Sequence, residues 1–291
     1  MEPMPAGRDA PIGMFDSGFG GLTVARAVID LLPSEHLVYI GDTGRYPYGA
    51  KPAGDVRRYA LELGRSLVDD FGAKAVVVAC NTAASVALDE LTAVLPVPVV
   101  GVVGPGARAL VRATSTGRVA VIGTVGTVAS RAYERAVSAT GAPVSLVSAA
   151  CPGFVEFVER DQTTGEEVTV LAQRLLAPVR EAGVDALLLG CTHYPFLSGV
   201  IGEVMGPDVR LVSSADETAV AIRDALAGAA MLPSRSIALA GAAMLRDGGT
   251  GTHRFFSSGD VARFAELGRR LLGPELEGAA PWPQTGATKG E

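Results

Sequence analysis

The strongest constraint on the fold is a segment that the chain repeats. Residues 75–82 read AVVVACNT and residues 186–193 read ALLLGCTH, each an apolar run, a small residue, a cysteine and two polar residues. A short apolar run between turn residues predicts a buried strand of a parallel sheet. Open α/β folds bind ligands at the carboxyl ends of such strands. The repeat therefore predicts two sheet edges, each with a thiol, that face one another across a cleft.

Strand and helix patterns alternate along the rest of the chain, which predicts an α/β fold with parallel sheets. The predicted strands are Pro11–Phe15, Leu37–Ile40, Lys74–Ala79, Val97–Val103, Val119–Ile122, Ser145–Ala149, Ala186–Leu189, Val209–Val212 and Phe255–Ser258. The predicted helices are Leu22–Leu32, Asp55–Phe71, Thr82–Leu95, Val128–Thr140, Gly165–Glu181, Ser198–Met205 and Asp260–Leu272.

The repeat also divides the chain into two lobes. We expect residues 1–104 and 212–291 to form the first lobe and residues 105–211 the second. From Gly273 the composition turns to Pro, Gly, Ala and Thr. This composition predicts a mobile tail over residues 277–291.

Composition excludes several classes of function. The net charge is −6 and the pI about 5.2, so the chain lacks the basic surface that binds nucleic acid. The longest apolar runs, 97–103 and 237–245, are broken by Gly or Pro and fall short of the ~20 residues that a membrane span needs. The first residues lack the basic and apolar regions of a signal peptide, which predicts a cytoplasmic protein.

The site is predicted to need neither metal nor cofactor. The cysteines are Cys80, Cys151 and Cys191, without a C-x-x-C pair, and Cys191 with His193 makes too few ligands for zinc. In the cytosol these cysteines should be reduced thiols. Phosphate-loop and dinucleotide-binding spacings are absent from the sequence. The sequence holds three lysines, Lys51, Lys74 and Lys289, and none lies in an obvious pocket at the carboxyl end of a predicted strand. A pyridoxal phosphate Schiff base would have to use Lys51 or Lys74 and is therefore not expected.

Two opposed thiols suit proton transfer at one carbon, because one can remove a proton from one face while the other returns a proton to the opposite face. A helix N-terminus or a nearby cation lowers the pKa of a thiol and makes it a better base. Asp16, at the end of the first strand, and His193, two residues beyond Cys191, are candidate proton partners. Backbone N–H groups at helix N-termini bind carboxylates, so we expect a small carboxylated ligand. Candidate positions for holding it are Ser17, Gly18, Tyr48, Gly49, Asn81, Thr82, Thr124, Thr127 and Thr192.

Four segments resemble the glutamate racemases of bacterial cell-wall (peptidoglycan) synthesis. They are residues 15–24 (FDSGFGGLTV), 41–49 (GDTGRYPYG), 79–83 (ACNTA) and 190–195 (GCTHYP). Cys151-Pro152 followed by Val158-Glu159, and residues 256–260 (FSSGD), also match that family's pattern. The resemblance spans about residues 11 to 272, with the segments in the same order.

The resemblance implies two pseudo-symmetric α/β lobes with the site between them, and cofactor-free interconversion of L- and D-glutamate by two bases. Cys80 would match the base for D-glutamate and Cys191 the base for L-glutamate. Asp16 would assist Cys80, His193 would assist Cys191, and Glu159 would be a further acid of the site; Glu156 aligns less easily. The substrate would be held by Asp16, Ser17, Tyr48, Gly49, Asn81, Thr82, Thr192 and His193. A homodimer is expected, and some family members are thought to restrain DNA gyrase.

Each assignment has a structural alternative. A cysteine after a buried strand often serves as a small core residue, which is the interpretation we keep for Cys151. Asp16 and the two threonines Thr124 and Thr127 stand where they would cap helices. Tyr48 and Gly49 would fit a plain turn, and Glu159 a charge on a helix surface. Two other functions also stay open, namely racemisation of aspartate or a hydantoin, and non-catalytic binding of a small ligand between two lobes.

Overall fold

The computed structural model describes residues 7–232 and 250–283, so the apolar run 237–245 lies outside the described residues. The strands are β1 Ile12–Asp16, β2 Leu37–Gly41, β3 Ala75–Val78, β4 Val99–Gly101, β5 Arg118–Gly123, β6 Ser145–Ala150, β7 Ala186–Gly190, β8 Arg210–Val212, β9 His253–Ser257 and β10 Ala280–Pro281. The α-helices are α1 Leu22–Leu31, α2 Ala53–Asp69, α3 Asn81–Val94, α4 Val103–Ala113, α5 Val125–Ala129, α6 Ala132–Ser138, α7 Phe154–Glu159, α8 Glu166–Glu181, α9 Ser198–Met205, α10 Ala215–Gly228 and α11 Val261–Leu272.

The strands form two parallel sheets, in the orders β10-β9-β2-β1-β3-β4 and β6-β5-β7-β8. Helices cover both faces, which is why β1, β3 and β7 are continuous buried apolar runs instead of alternating patterns. The predicted α/β fold of two parallel-sheet lobes is confirmed. No helix in the described part of the chain is long and apolar enough to cross a bilayer.

The register of each sheet brings the ends of its strands to one edge. Phe15 of β1 lies beside Val78 of β3, so Asp16, the last residue of β1, and Ala79, the first residue after β3, lie at the same edge of the first sheet. Gly123 of β5 lies beside Gly190 of β7 in the second sheet. Each cysteine of the repeat therefore follows a central strand at the carboxyl edge of its sheet.

The lobe boundaries at 104/105 and 211/212 stay a prediction, although Val212 pairs with Leu188 in the second sheet and so lies with the second lobe. The segment predicted as a mobile tail differs from the structure where it is described. Residues 280–281 pair with β9, and Trp282 is buried with its indole N–H donating to the Ser66 hydroxyl at 3.0 Å. Residues 277–283 thus continue the first lobe.

Three helices, α4, α7 and α10, are absent from the sequence prediction. The run 97–103 reads as one strand, but β4 covers only Val99–Gly101, and α4 begins at Val103. A short apolar run does not separate a strand from the buried start of a helix. The single helix predicted over residues 128–140 is two helices, α5 and α6, because Arg131 between them has a left-handed backbone with φ 55°.

Candidate active site

A cavity lies between the two lobes, where the carboxyl edges of the two sheets face one another. Cys80 reaches it from the first lobe and Cys191 from the second. Among the predicted ligand-holding residues, these also line the cavity: Ser17, Tyr48, Gly49, Asn81, Thr82, Thr124, Thr192 and His193. Asp16 and Glu159 do not line it, and each lies behind a residue that does.

Cys80 occupies the N-cap of α3, and its surroundings are polar but deeply buried. Its sulfur accepts the Ala83 N–H at 3.5 Å, and its S–H donates to the Ser17 hydroxyl at 3.7 Å. Burial, and next the negative charge of Asp16, raise the pKa of the Cys80 thiol well above its ordinary value, while the two hydrogen bonds oppose this rise. The N-terminus of α3 does lower this pKa, as expected, through the Ala83 N–H, but desolvation outweighs it and the net direction is upward. Cys80 is a neutral thiol near pH 7.

Asp16 organises the glycine-rich turn that precedes α1. Its Oδ2 accepts the backbone N–H groups of Gly18 at 3.2 Å and Gly21 at 3.0 Å, and its buried Oδ1 has no partner among the described residues. The carboxylate is fully buried and next in sequence to Ser17, which does contact Cys80. Asp16 thus holds the turn that presents Ser17, and its charge acts on the Cys80 thiol from behind the cavity wall.

Cys191 has different neighbours, because β7 is followed by a short 3₁₀ turn, Tyr194–Leu197, and not by an α-helix. The buried imidazole of His193 lies between three groups. Its Nδ1 is 3.9 Å from the Cys191 sulfur and 3.5 Å from the Thr192 hydroxyl, and its Nε2 is 3.1 Å from Glu159 Oε1. Burial lowers the pKa of His193, but the hydrogen bonds with Cys191 and Glu159 outweigh burial and raise this pKa to about 10. The imidazole is therefore a cation near pH 7, within reach of the Cys191 sulfur.

The short helix α7 supplies two acids with separate positions. Glu159, at its last residue, contacts His193 behind the cavity, whereas Glu156, one turn earlier, lies on the cavity wall. The resemblance in the sequence predicts Glu159 as the acid of the site, whereas Glu156 matches the family pattern less easily. Cys151, which precedes α7, is 1% exposed as expected of a core residue, but it also contributes to the cavity wall, and burial raises the pKa of its thiol to about 12.

Hydroxyl and amide groups meet where α3 of the first lobe faces α5 and α6 of the second. The Thr82 hydroxyl lies 3.0 Å from that of Thr124 and 3.4 Å from that of Thr127. Thr124 also accepts the Thr127 N–H at 3.2 Å, so its predicted role as an N-cap is present together with its place in the cavity. Tyr133 donates to Asn81 Oδ1 at 2.5 Å, which leaves the buried Asn81 Nδ2 without a partner among the described residues.

The loop after β2 brings Tyr46, Tyr48 and Gly49 to the cavity. Tyr48 donates its hydroxyl to the buried Asp42, and Gly49 packs so closely on Thr124 that an added Cβ would lie 2.7 Å from the Thr124 Cβ. The Tyr46 ring lies 5.8 Å from that of His193, and its buried hydroxyl has no partner within the described chain. Sequence reasoning missed Tyr46 and Tyr133, since a tyrosine in a turn or in a predicted helix gives no signal of the lobe that it faces.

The chain matches the family model described as Asp/Glu/Hydantoin racemase over residues 22–222. It belongs to this racemase family. It is 52% identical over 272 residues to a glutamate racemase of Parafrankia sp. (strain EAN1pec), with 92% of each chain covered. The glutamate racemase isoform RacE1 of Bacillus anthracis is 39% identical with a TM-score of 0.81, covering 91% of this chain and 95% of that one.

A third relative, the Francisella tularensis glutamate racemase in complex with D-glutamate, is 27% identical with a TM-score of 0.83, covering 96% of this chain and 99% of that one. The resemblance found in the four sequence segments is therefore confirmed at the level of the family. Among the described residues, no three or more His, Cys, Asp or Glu side chains are grouped so that they could hold a metal ion.

Proposed function

We propose that this protein is a glutamate racemase, an isomerase that interconverts L- and D-glutamate with Cys80 and Cys191 as two opposed acid–base groups. The observation that carries the proposal is that the two thiols line one cavity from different lobes. The names of the similar proteins, one of them solved with D-glutamate, support glutamate as the substrate.

In the direction from L-glutamate, the Cys191 thiolate takes the proton from Cα, so that the C–H bond breaks and an S–H bond forms. The electron pair remains on Cα until the Cys80 S–H delivers a proton to the opposite face. Cys191 ends as a thiol and Cys80 as a thiolate, which is the form that accepts D-glutamate. Each thiol therefore acts as base in one direction and as acid in the other.

The electrostatics of the cavity support the form in which Cys80 holds the proton. Burial and Asp16 keep the proton on Cys80, as its raised pKa indicates. The cationic imidazole of His193, 3.9 Å from the Cys191 sulfur, stabilises negative charge on that sulfur. The two thiols thus have different surroundings, a neutral hydroxyl partner with a buried carboxylate behind it for Cys80 and a cation for Cys191, and this difference supports their assignment to the acid and base roles in this direction.

The polar groups between the lobes suit the carboxylates and the ammonium group of glutamate. The N-terminus of α3 presents backbone N–H groups together with the Asn81 Nδ2, which has no partner among the described residues. The hydroxyls of Thr82 and Thr192 and that of Ser17 lie on the same cavity wall as the thiols. Binding through these groups would place Cα between the sulfurs, so that binding energy serves orientation in the transition state.

The test is racemisation followed by circular dichroism, with L-glutamate, D-glutamate, L-aspartate and a substituted hydantoin as separate substrates. We expect turnover of both glutamate enantiomers and much slower turnover of the others. In deuterated water the product should carry deuterium at Cα from the first turnovers, while recovered substrate carries little. Substantial early label in the recovered substrate would point to one shared base and contradict the two-thiol mechanism.

The same assay separates the alternatives. Faster turnover of aspartate or of the hydantoin would assign the chain to a different substrate of its family. A protein that binds glutamate in calorimetry without turning it over would be a two-lobed binding protein, for which the thiols are dispensable. Chelator treatment should leave the activity unchanged, since the proposed chemistry uses only side chains of the chain itself.

We further propose that the protein acts as a homodimer in the cytoplasm and supplies D-glutamate to peptidoglycan synthesis. Support comes from the family resemblance and from the three buried free thiols, which suit a reducing compartment. Light scattering of the purified protein would test the dimer, and a monomer at micromolar concentration would contradict it. The net charge of −6 offers no support for a direct contact with DNA, so a link to DNA gyrase would have to go through protein contacts.

A further inference from the structure

We propose that Arg263 and Arg270, on α11 of the first lobe, clasp the end of α7 in the second lobe and thereby position Glu159 against His193. Arg263 is the positioning residue of this clasp, since it acts on the imidazole only through Glu159. The inference rests on the proposed function for its activity measurement, but not for its spectroscopic one.

The helix that carries Glu159 depends on its surroundings for its position. α7 has six residues, far fewer than an isolated helix needs to be stable in water. The buried side chains of Phe154 and Val158 anchor its core-facing side. Glu159 is its last residue, and the carbonyl groups at a helix C-terminus lack partners within the helix. The orientation of Glu159 is therefore fixed by whatever contacts the end of α7.

Two arginines of α11 make that contact. The Arg263 Nη2 donates to the backbone carbonyl of Glu159 at 2.9 Å. Arg270 pairs with Asp161, two residues further on, at 2.5 Å between Nη1 and Oδ1. A spacing of seven residues puts Arg263 and Arg270 on one face of α11, and Glu266 between them contacts both guanidinium groups, at 3.2 Å and 3.7 Å.

The contacts made by α11 join the two lobes at Glu159, the residue whose carboxylate contacts the imidazole of His193. α11 belongs to the first lobe, where it packs on α1 and β9 and buries Phe264 and Leu267. Glu159 belongs to the second lobe, and its carboxylate lies 3.1 Å from His193 Nε2 while its carbonyl accepts from Arg263. A single residue thus connects a first-lobe helix to the imidazole next to Cys191.

Exposure argues for positioning and against a large contribution to stability. The side chains of Arg263 and Arg270 are 44% and 47% exposed, and exposed ion pairs stabilise a fold only weakly. A weak contact across a cleft can still decide the geometry of a hydrogen bond, because the carboxylate of Glu159 follows the end of its short helix. Loss of Arg263 should therefore change the pKa of His193 measurably while leaving the melting temperature nearly unchanged.

The experiment is a double-mutant cycle with Arg263→Ala and Glu159→Gln, read out by NMR titration of the imidazoles. The chain has three histidines, His36, His193 and His253, so the signals can be assigned by His→Gln variants. Other groups that act on His193 are Cys191, Asp16 and the nearby Tyr46 ring, and all stay unchanged in the cycle. We expect Arg263→Ala to lower the pKa of His193 in the wild-type background and to leave it unchanged in the Glu159→Gln background.

Activity should follow the same pattern. Arg263→Ala should lower kcat/KM about fivefold, the size expected from loss of one exposed charged contact. The loss should be equal in both directions, because the two enantiomers have equal free energy. Arg263→Lys should restore part of it, since an ammonium group can also donate to a helix C-terminal carbonyl. Arg269→Ala is the matched control, because Arg269 lies on the same helix and its side chain makes no hydrogen bond or ion pair with another described residue.

An unchanged His193 pKa in Arg263→Ala, with the melting temperature near that of the wild type, would overturn the clasp. Additive losses of kcat/KM in the double variant would overturn it as well, because they would mean that Arg263 does not act through Glu159. Arg270→Ala, which leaves the Glu159 carbonyl contact intact, provides a second variant should Arg263→Ala not fold. If the protein proved to have no racemase activity, the proposed function would fail, and the titration would still decide the clasp.

Discussion

The two cysteines of the repeat stand at equivalent places in the two lobes, yet their neighbours differ in kind. Cys80 begins an α-helix and contacts a hydroxyl group, that of Ser17. Cys191 precedes a 3₁₀ turn and contacts an imidazole, that of His193, which is itself paired with Glu159. The same strand-and-cysteine unit therefore supports its sulfur with a neutral group in one lobe and with an ion pair in the other.

This difference teaches that two lobes of similar fold can give their two cysteines different chemical surroundings. If both thiols had neutral neighbours, burial would keep both protonated and neither could act as base. If both had cationic neighbours, neither would readily give its proton to the carbanion. The proposed step of proton removal and return requires one sulfur that gives a proton and one that accepts it, and the different neighbours of Cys80 and Cys191 suit these two roles. The predictions that follow test this asymmetry, beginning with the largest effect.

Substitution of either thiol should give the largest loss. Cys80→Ser and Cys191→Ser should each reduce racemisation in both directions by about 10²–10⁴-fold, the usual contribution of a general acid or base. The remaining thiol can still exchange the α-proton of one enantiomer. In deuterated water, Cys80→Ser should therefore label L-glutamate, and Cys191→Ser should label D-glutamate, both without inversion.

Proton NMR of the recovered amino acid measures that label, and far-UV circular dichroism checks the fold of each variant. The opposite pattern of labelling would reverse the assignment of the two bases. Equal labelling of both enantiomers by one variant would contradict the view that the sulfurs lie on opposite faces.

The protonation of His193 should make the free energy of unfolding depend on pH. Its pKa in the folded protein is raised from 6.5 to about 10 by Cys191 and Glu159 against the effect of burial, so the folded state binds this proton more tightly than the unfolded state. The stabilisation is complete below pH 6.5 and is lost as the pH rises from there to about 10. Urea unfolding of wild type and His193→Gln across this window should show a difference in unfolding free energy that shrinks with rising pH.

The matched variant removes the contribution of other groups, including Cys80, because they titrate in both proteins. His193→Gln should also lower kcat/KM by about 10²-fold, since glutamine can form a hydrogen bond but cannot carry the charge near the Cys191 sulfur. A difference in unfolding free energy that stays constant from pH 6 to pH 10 would mean that the imidazole is neutral in the folded state.

Gly20→Ala should disturb the Cys191 side alone. Although Gly20 belongs to the first lobe, a Cβ there would lie 2.6 Å from the Thr192 hydroxyl and 2.8 Å from His193 Nδ1. The clash should destabilise the protein by about 1–3 kcal/mol, as overpacking commonly does. It should also shift the imidazole signal of His193 while leaving the contact between Ser17 and Cys80.

Gly54→Ala is the matched control, because a Cβ at that position in α2 meets nothing within 4 Å. Alanine is also the better helix former, so the control should be as stable as the wild type or more so. Urea unfolding measures both variants. Equal stability of Gly20→Ala and Gly54→Ala would show that the lobes can separate at Gly20 without cost, and that the close approach does not hold the site together.

What the sequence predicted well is what lies within one strand and its turn. Cys80 and Cys191 could be placed because an apolar run followed by a cysteine is a local pattern, and parallel strands end at one edge. Whether Glu156 or Glu159 lies on the wall depends on how the short α7 is rotated, and six residues carry too little periodicity to show it. The contact of Tyr133 with Asn81 depends on the packing of two lobes, which no local pattern encodes.

Other differences also have physical causes. The pKa of Cys80 was misjudged because the helix N-terminus is visible in the sequence, whereas burial and the charge of Asp16 arise only in the folded protein. The Pro- and Gly-rich segment after Gly273 reads as a tail, but the one tryptophan of the chain, Trp282, is buried on the first lobe. A lone tryptophan in such a segment indicates that the segment packs on the protein. The prediction missed this because it was made from the overall composition of the segment.

Ser17→Ala should give the smallest effect and completes the comparison between the two sulfurs. It removes a neutral hydrogen bond of 3.7 Å to Cys80, and such a bond contributes about 1 kcal/mol, or roughly fivefold in kcat/KM. Removing the charged partner of Cys191 should cost far more than removing the neutral partner of Cys80. Steady-state kinetics of Ser17→Ala and His193→Gln in both directions measure the two losses side by side. Equal losses would mean that the cation next to Cys191 does not stabilise a thiolate there, and the asymmetry between the lobes would then have no part in the chemistry.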